Sequence, residues 1–303
     1  MKGKDEIEFL LKEIKKSGYP LEIEIASFLE SQKIWSVYTN TYFFDRDEGK
    51  GRELDIKAQV EPFEVSKEEL IPLLGLTLLV QCKRIPGNAW IFFQVPGVKR
   101  DIPVSRVSLF DAIKEGSPVP YDILEIMGTH FEKCKTKATN FCEFVINSEE
   151  SNKRTDNIWE CVISLVKATS EEMRFELLDK KKFIEEETDI KDWLAEPFDV
   201  LNVFYPIVVF EGKIYVANVG KEISLNRQSH VQLIIDYKSG NYEGKFCIDF
   251  IERQHFSSFF QDVMKDTKVF KKRIAHFSKK YVKDLKGTVK GYFRAKSGPI
   301  LLE

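Results

Sequence analysis

The chain has 303 residues, of which 43% are hydrophobic and 31% are charged, and its formal net charge is −2. This composition is typical of a folded globular protein, and the small net charge excludes a protein that binds polyanions through its bulk charge. No apolar run reaches the roughly 20 residues needed to cross a bilayer, and the charged start of the chain is not typical of a signal peptide. We therefore expect a cytoplasmic protein with no membrane partner.

Two helices are predicted at the start of the chain. The first covers residues 6–16, and the second begins at Pro20, where a missing N–H is tolerated, and runs to about Ser31. The helical phase leaves Glu22 and Glu24 near the edges of the second apolar stripe. The two stripes comprise Phe9, Leu10 and Ile14, and then Leu21, Ile25, Phe28 and Leu29.

A β-hairpin is predicted next, because WSVYTNTYFFD and ELDIKAQV are strand-like and flank the turn-like DRDEGKGR. Asp45 and Arg52 flank this turn, and ordinary turn chemistry is favoured for them over contact with a substrate. Strand side chains alternate between two faces. One face of the second strand therefore carries Leu54, Ile56, Ala58 and Val60, and the other carries Glu53, Asp55, Lys57 and Gln59.

The segment SKEELIPLL predicts a short helix, and LTLLVQCKR predicts a strand that follows it. Five of the first seven residues from Leu76 are apolar, as expected inside a sheet, but the strand ends on the polar residues Gln81 and Lys83. Leu78, Val80 and Cys82 share one face of this strand, and Leu79, Gln81 and Lys83 share the other.

The second half of the chain alternates between helix and strand patterns. Residues 156–183 predict a helix. Strands follow at VLNVFYPIVVF and KIYVANV, which Glu211 and Gly212 join, and then at HVQLIIDY and KFCIDFI. An amphipathic helix is predicted over residues 255–281. Its apolar positions are Phe259, Val263, Phe270, Ile274 and Phe277.

The organisation favours one compact α/β domain over residues 1–303. Its motifs lie within residues 18–90, a helical crossover and returning strands occupy residues 150–250, and a basic helical segment occupies residues 255–303. Residues 84–155 are the least readable, and no role is assigned to any side chain there.

Charge is distributed unevenly along the chain. From Met264 to Lys296 there are twelve Lys or Arg residues against two Asp residues. Such a segment is a candidate contact for a phosphate backbone, and a solvated helix face is the alternative.

Cysteine and histidine do not show the spacing of a metal site. The odd number of cysteines, without a CxxC pair, predicts reduced packing residues, namely Cys82, Cys134, Cys142, Cys161 and Cys247. The histidines are isolated from one another in sequence, which gives little support to histidine–metal or triad chemistry; they are His130, His230, His255 and His276.

The polar residues of the two strands indicate a cation site. If the hairpin and the LTLLVQCKR strand are neighbours, Asp55, Gln81 and Lys83 meet on one face at the end of the sheet. Carboxylate and amide oxygens are ligands that Mg²⁺ prefers, and the backbone carbonyl of Cys82 can supply another. Lys83 can then orient or deprotonate a water, or neutralise charge on a phosphate. A glutamate from the second helix would complete the set.

Three features within Gly18 to Lys83 together resemble the PD-(D/E)XK nuclease superfamily, the restriction-endonuclease-like fold. They are an acidic helix residue, the Asp of RELDIKA and the VQCK strand. Gln before x-Lys is similar to the variant of Mrr-like type IV restriction enzymes. The resemblance implies an αβββαβ core, with a mixed central sheet flanked by helices and with strand and helix elaborations after it. The helix near residues 156–183 and the strand after it agree with that order.

Carried over by position, the resemblance implies that Asp55 and Gln81 are metal ligands and that Lys83 is the catalytic lysine. Glu22 is favoured as the helix glutamate, because GYPLE resembles the family's motif, and Glu24 is the alternative. This chain departs from the family pattern in lacking the second acidic ligand and a proline before Asp55.

The expected function is a Mg²⁺-dependent endonuclease, with Mn²⁺ as a substitute, that hydrolyses phosphodiester bonds of nucleic acid. DNA is the expected substrate, a role in restriction or defence is expected, and a homodimer is expected by analogy with nucleases of this fold. One alternative is a module with a decayed site that binds nucleic acid or a protein. Another is a purely structural or protein-interaction role.

Overall fold

A computed structural model describes residues 3–63, 73–94, 107–108, 129–146, 156–186, 200–270 and 272. A short 3₁₀ turn, Arg253–His255, precedes the last of its helices. The helices are α1 (Gly3–Lys16), α2 (Tyr19–Ser31), α3 (His130–Lys133), α4 (Asp156–Glu186) and α5 (residues 256–270). In this part of the chain no helix is long and apolar enough to span a membrane.

The described strands form one mixed sheet. They are β1 (Trp35–Asp45), β2 (Lys50–Phe63), β3 (Leu73–Gln94), β4 (Val107–Ser108), β5 (Lys137–Ala138), β6 (Asn140–Val145), β7 (Val200–Val219), β8 (Ile223–Gln228), β9 (His230–Lys238) and β10 (Glu243–Glu252). Their order is β1-β2-β3-β7-β10-β9-β5, with β4 and β8 paired to β7 and β6 paired to β3.

Strand directions divide this sheet into two regions. The strands β1, β2 and β3 run antiparallel to one another, whereas β3, β7 and β10 are parallel neighbours. Parallel strands are buried on both faces, which explains why β7 and β10 are nearly continuous apolar runs. The predicted class, α/β with a mixed sheet flanked by helices, is confirmed.

Helices cover both faces of the sheet. On one face α2 contributes Leu21, Ile25 and Leu29, which a period near four residues places on one stripe. The helix α5 packs beside it through Phe259 and Val263, as predicted. On the opposite face α4 buries its apolar stripe against β3 and β7; that stripe includes Ile158, Cys161, Val162, Leu165 and Val166.

Two predictions about helices are corrected. The predicted stripe of α1 lies on a helix, but the described residues do not cover it: Phe9, Leu10 and Ile14 are 55%, 49% and 54% exposed. The helix predicted over SKEELIPLL falls mostly outside the described residues. Its last two positions, Leu73 and Leu74, begin β3, because they pair with β7.

The two strands predicted around Glu211 and Gly212 are one strand, β7. A turn is not needed there, because β3 continues alongside: Arg84 pairs with Glu211 and Ala89 pairs with Lys213. The extra residues 85–88 of β3 form the irregularity instead. Gly87 lies there with a φ of +91°, a conformation that favours glycine.

Several strands and one helix were not predicted from the sequence. The described parts of the unreadable stretch 84–155 contain the second half of β3, together with β4, α3, β5 and β6. The exposed strand β8 was also not predicted, since its apolar pattern is limited to Ile223 and Leu225. Ile274, Phe277 and most of the basic C-terminal segment lie outside the described residues.

Candidate active site

The predicted polar residues lie where β2 and β3 separate. The β2–β3 ladder ends at the pair Ile56–Val80, so Asp55 and Gln81 are the first residues beyond it. On the other side of β2, the ladder with β1 continues to the hairpin turn. Opposite Asp55, Asn40 of β1 has a left-handed φ of 51°. The pairing of β2 with β3 therefore stops at this point.

The alternation of β2 changes at this split. Ile56, Ala58 and Val60 join the core beneath α2, as one shared face predicts. Leu54 is buried as well, but it joins the core on the α4 side. The prediction that Leu54 shares the face of Ile56 is therefore wrong, and the change of face falls where the ladder with β3 ends.

A hydrogen bond joins Asp55 of β2 to β3 just beyond the end of their ladder. Its Oδ2 accepts a hydrogen bond of 2.6 Å from the backbone N–H of Cys82. The carboxylate thus accepts the hydrogen bond that a backbone carbonyl of β2 would accept if the β2–β3 ladder continued. Burial raises the pKa of Asp55 to about 6, against the opposing effects of this N–H and of the Lys83 charge. Asp55 is a carboxylate that the fold fixes at an energetic cost.

Gln81 and Lys83 point from β3 toward α4, as their spacing predicts. The Nε2 of Gln81 lies 3.5 Å from the carbonyl oxygen of Glu53 and 3.4 Å from the hydroxyl of Ser164 on α4. The ammonium of Lys83 lies 3.6 Å from Glu160 of α4, and its side chain is 28% exposed. Lys83 therefore keeps access to solvent beside α4.

Glu22, in the first turn of α2, lies close enough to Asp55 and Lys83 for their charges to act on it. Burial raises its pKa to about 7, and repulsion from Asp55 and Glu53 adds to this effect, while Lys83 opposes it. Three charged side chains from α2, β2 and β3 thus act on one another. The alternative residue, Glu24, instead forms an ion pair with Arg253.

A glycine before α2 makes room for this carboxylate. The Oε1 of Glu22 lies only 3.1 Å from the position that a Cβ on Gly18 would occupy. The backbone of Gly18 has an ordinary φ of −71°, so close approach rather than conformation favours glycine there.

The donor set suits a hard divalent cation. Among the described residues, no three His, Cys, Asp or Glu side chains are arranged to hold a metal ion. A cation here would need Asp55, the amide oxygen of Gln81 and the carbonyl of Cys82, with Glu22 close by. The N–H and C=O of one strand residue point to the same side, so the Cys82 carbonyl faces Asp55. Two carboxylates with raised pKa values would gain from a nearby positive charge, so the residues fit Mg²⁺.

Asp45 and Arg52 belong to the scaffold. Asp45 is fully buried and accepts hydrogen bonds from Lys167 of α4 at 2.8 Å and from Arg52 at 2.5 Å. Burial acts to raise the pKa of Asp45, but these bonds lower it overall. The hairpin turn is therefore fixed to α4 by buried charges, and Asp45 is inaccessible to a substrate.

Sequence spacing missed a second polar cluster. His130 of α3 and His230 of β9 were predicted to be isolated, yet both contact Asp249 of β10, at 3.2 Å and 2.8 Å. The other ring nitrogen of His130 contacts Asp266, and Gln232 donates to Asp249 at 2.9 Å. The prediction is wrong because the pairing of β9 with β10 brings His230 to Asp249, and α3 places His130 against the same carboxylate although His130 lies 119 positions earlier in the chain. No local signal identifies this cluster.

No protein-family model, curated protein or solved structure matches the chain significantly. The assignment of a function therefore depends on the geometry and electrostatics of these residues.

Proposed function

We propose that the protein is a divalent-metal-dependent endonuclease that hydrolyses phosphodiester bonds, with DNA as its substrate. The observation that carries this proposal is the mutual electrostatic influence of Glu22, Asp55 and Lys83 where β2 and β3 separate. Gln81 lies on β3 two positions before Lys83. With β4, α3, β5 and β6 treated as insertions between β3 and α4, the order α2-β1-β2-β3-α4-β7 is similar to the αβββαβ plan of restriction-endonuclease-like proteins, with β7 parallel to β3.

Each residue has a defined part in this reaction. Asp55, the Gln81 amide and the Cys82 carbonyl would hold Mg²⁺, and the chemistry it would supply there is polarisation of a phosphate and easier ionisation of water. Glu22, whose pKa is near 7, can accept a proton from the attacking water at neutral pH. The Lys83 ammonium can neutralise the charge that grows on the phosphate oxygens. The water oxygen bonds to phosphorus as the ester oxygen leaves and is protonated.

The test uses the whole chain with plasmid, linear single-stranded DNA and RNA, each with Mg²⁺ or Mn²⁺. Lys83→Ala should lower cleavage by at least about 100-fold, since it removes a group that acts on the reacting phosphate. Lys57→Ala is the matched control. Lys57 also points toward α4 from the sheet and is 22% exposed, but it pairs with Glu172, which is not part of the candidate site. Equal cleavage by the Lys83 variant and the native chain would remove Lys83 from the mechanism.

A second function has support from Gln81, which stands where a carboxylate ligand would hold a cation more strongly. In this case the protein is a nucleic-acid-binding module whose site has decayed. It would bind DNA in a salt-dependent way and cut no substrate with any divalent metal. Turnover of one substrate excludes it.

A further inference from the structure

A cavity of about 250 Å³ lies beside the second polar cluster, and both His130 and His230 line it. This volume is below the roughly 300–1,000 Å³ of sites for drug-sized ligands, so the cavity suits a small ligand. The rest of its wall combines basic, hydroxyl and apolar side chains. These include Lys133, Ser229, Ile251, His255 and Phe259.

The geometry of the cluster fixes the charge of His130. Its Nδ1 contacts Asp266, and its Nε2 lies 3.2 Å from Asp249. An ionised carboxylate only accepts hydrogen bonds, so both ring nitrogens carry a proton and the ring is an imidazolium. Burial acts to lower the pKa of His130, but the charge and the hydrogen bond of Asp249 raise it overall.

His230 brings a second basic ring to the wall. Its Nε2 donates to Oδ1 of Asp249 at 2.8 Å, and its side chain is 23% exposed. Burial acts to lower the pKa of His230, but the hydrogen bond to Asp249 opposes this effect, and the pKa is raised to about 10. At neutral pH the ring therefore carries a positive charge at the edge of the cavity.

Basic groups outweigh acidic groups at the wall. Lys133, the last residue of α3, is exposed. Of the described residues that line the cavity, Asp262 is the one carboxylate, and it accepts a hydrogen bond from Lys265 at 2.7 Å. Asp249 and Asp266 lie behind the imidazoles and are bound by them. A negatively charged ligand is therefore favoured in this cavity.

We propose that this cavity binds a phosphate group, with Lys133 and His230 as its cations and the hydroxyl of Ser229 as a neutral donor. A phosphate group carries up to two negative charges and three acceptor oxygens, so it can use all three groups at once. Ile251 and Phe259 form an apolar part of the wall, and exclusion of water there strengthens each charged contact. This site is independent of the proposed nuclease function.

The experiment records NMR signals of the histidine rings in the full-length protein during titration with inorganic phosphate. Sodium chloride at matched ionic strength is the reference, and His230→Gln assigns the His230 signals. We expect these signals to shift saturably with phosphate and not with chloride. Shifts that do not saturate, or that are equal in chloride, overturn the proposal.

Two lysine variants test whether the response is local. Lys133→Ala should weaken phosphate binding at least about threefold, since it removes a charge that contacts the anion. Lys135→Ala is the matched control. Lys135 is also exposed and lies two positions further along the chain, but it does not line the cavity. Unchanged binding by the Lys133 variant, or equal weakening by both variants, overturns the proposal.

The substitution His230→Gln tests the imidazole. The amide can still donate to Asp249 but carries no charge, so phosphate affinity, measured by calorimetry, should fall at least about tenfold. Affinity equal to that of the native chain overturns the proposal. Circular dichroism checks that each variant folds, and if His230→Gln does not fold, the two lysine variants decide.

A phosphate group can arrive on a small molecule or at the end of a nucleic acid. Two further titrations, in EDTA so that metal-dependent cleavage does not interfere, separate these sources. One uses a deoxynucleoside 5′-monophosphate, and the other uses a short single-stranded oligonucleotide with and without a 5′-phosphate. Tighter binding of the nucleotide identifies a small ligand, and tighter binding of the phosphorylated oligonucleotide alone identifies a nucleic-acid end. Binding of neither overturns the proposal.

Discussion

Asp55 and Glu22 are carboxylates that the fold holds against their preference for water. Burial is the largest cause of the raised pKa of each, and the two repel one another. Asp45 is a carboxylate of the same hairpin with the opposite balance, because Lys167 and Arg52 lower its pKa. Buried carboxylates with a raised pKa, such as Asp55 and Glu22, are typical of functional sites. A buried carboxylate whose pKa is lowered by paired cations, such as Asp45, stabilises the fold instead.

Asp55→Asn should stabilise the protein at pH 8. A carboxyl whose folded pKa of about 6 exceeds its ordinary value of 3.8 loses folding stability as pH rises between these values. The full penalty is therefore present above pH 6. Asparagine cannot ionise, and its amide oxygen still accepts the N–H of Cys82. We expect a gain of about 1–3 kcal/mol in the free energy of unfolding at pH 8, and little change at pH 4, measured with urea.

Asp45→Asn is the matched control, with the opposite sign. Its lowered pKa stabilises the fold above the ordinary carboxyl pKa, and this contribution is lost as pH falls through the folded value. The variant should therefore unfold at lower urea concentration than the native chain at pH 8. Destabilisation by both substitutions would show that the site carries no such strain.

Cation binding should depend steeply on pH. A cation competes with the protons of Glu22 and Asp55, whose pKa values are about 7 and about 6. Affinity for Mn²⁺, measured by calorimetry, should rise at least about tenfold between pH 5.5 and pH 8. Asp55→Asn should weaken binding and flatten this dependence. An affinity that does not change with pH would place the ion elsewhere.

At the scale of elements, Gly212 leaves room within β7 for an aromatic ring. A Cβ at this position would overlap the ring of Phe210, which stacks on Trp90 of β3 with ring centroids 3.8 Å apart. This stack lies beside the irregularity of β3 at residues 85–88. The glycine therefore reflects packing within a strand rather than a turn between two strands.

Gly212→Ala should destabilise the protein by about 1–3 kcal/mol in the free energy of unfolding, because an added methyl group forces the Phe210 ring out of its stack. Gly51→Ala in β2 is the control, since its Cβ would meet Tyr42 at an ordinary 3.8 Å. Urea unfolding compares the two variants. Equal effects would mean that the Phe210 ring can move without loss.

At the scale of the whole molecule, nucleic-acid binding would depend on where the charges lie, since the net charge is only −2. Eight Lys and Arg residues follow residue 272. If this segment contacts phosphates, a chain ending at residue 272 should show a weaker dependence of binding on salt. Each lost phosphate contact reduces the log–log slope by about 0.9 for duplex DNA.

Fluorescence anisotropy with duplex DNA over a range of salt concentrations measures this slope for both chains. Thermal unfolding of the shortened chain checks that it keeps its fold. An unchanged slope would favour the alternative, in which the basic residues form a solvated surface.

The sequence alone determined those features that depend on local periodicity. A period of two placed Gln81 and Lys83 on one side of β3, and a strand–turn–strand pattern located the hairpin that carries Asp55. Helix periodicity located α2 and α4, because an apolar stripe requires the same spacing in any context.

Only the tertiary structure decided which of these residues meet. The change of face at Leu54, the closeness of Glu22 rather than Glu24 to Asp55, and the cluster of His130 and His230 all result from contacts between distant segments. Such contacts depend on how strands pair and where they separate. Side chains far apart in the chain leave no periodic signal of that pairing, so folding itself brings the candidate site together.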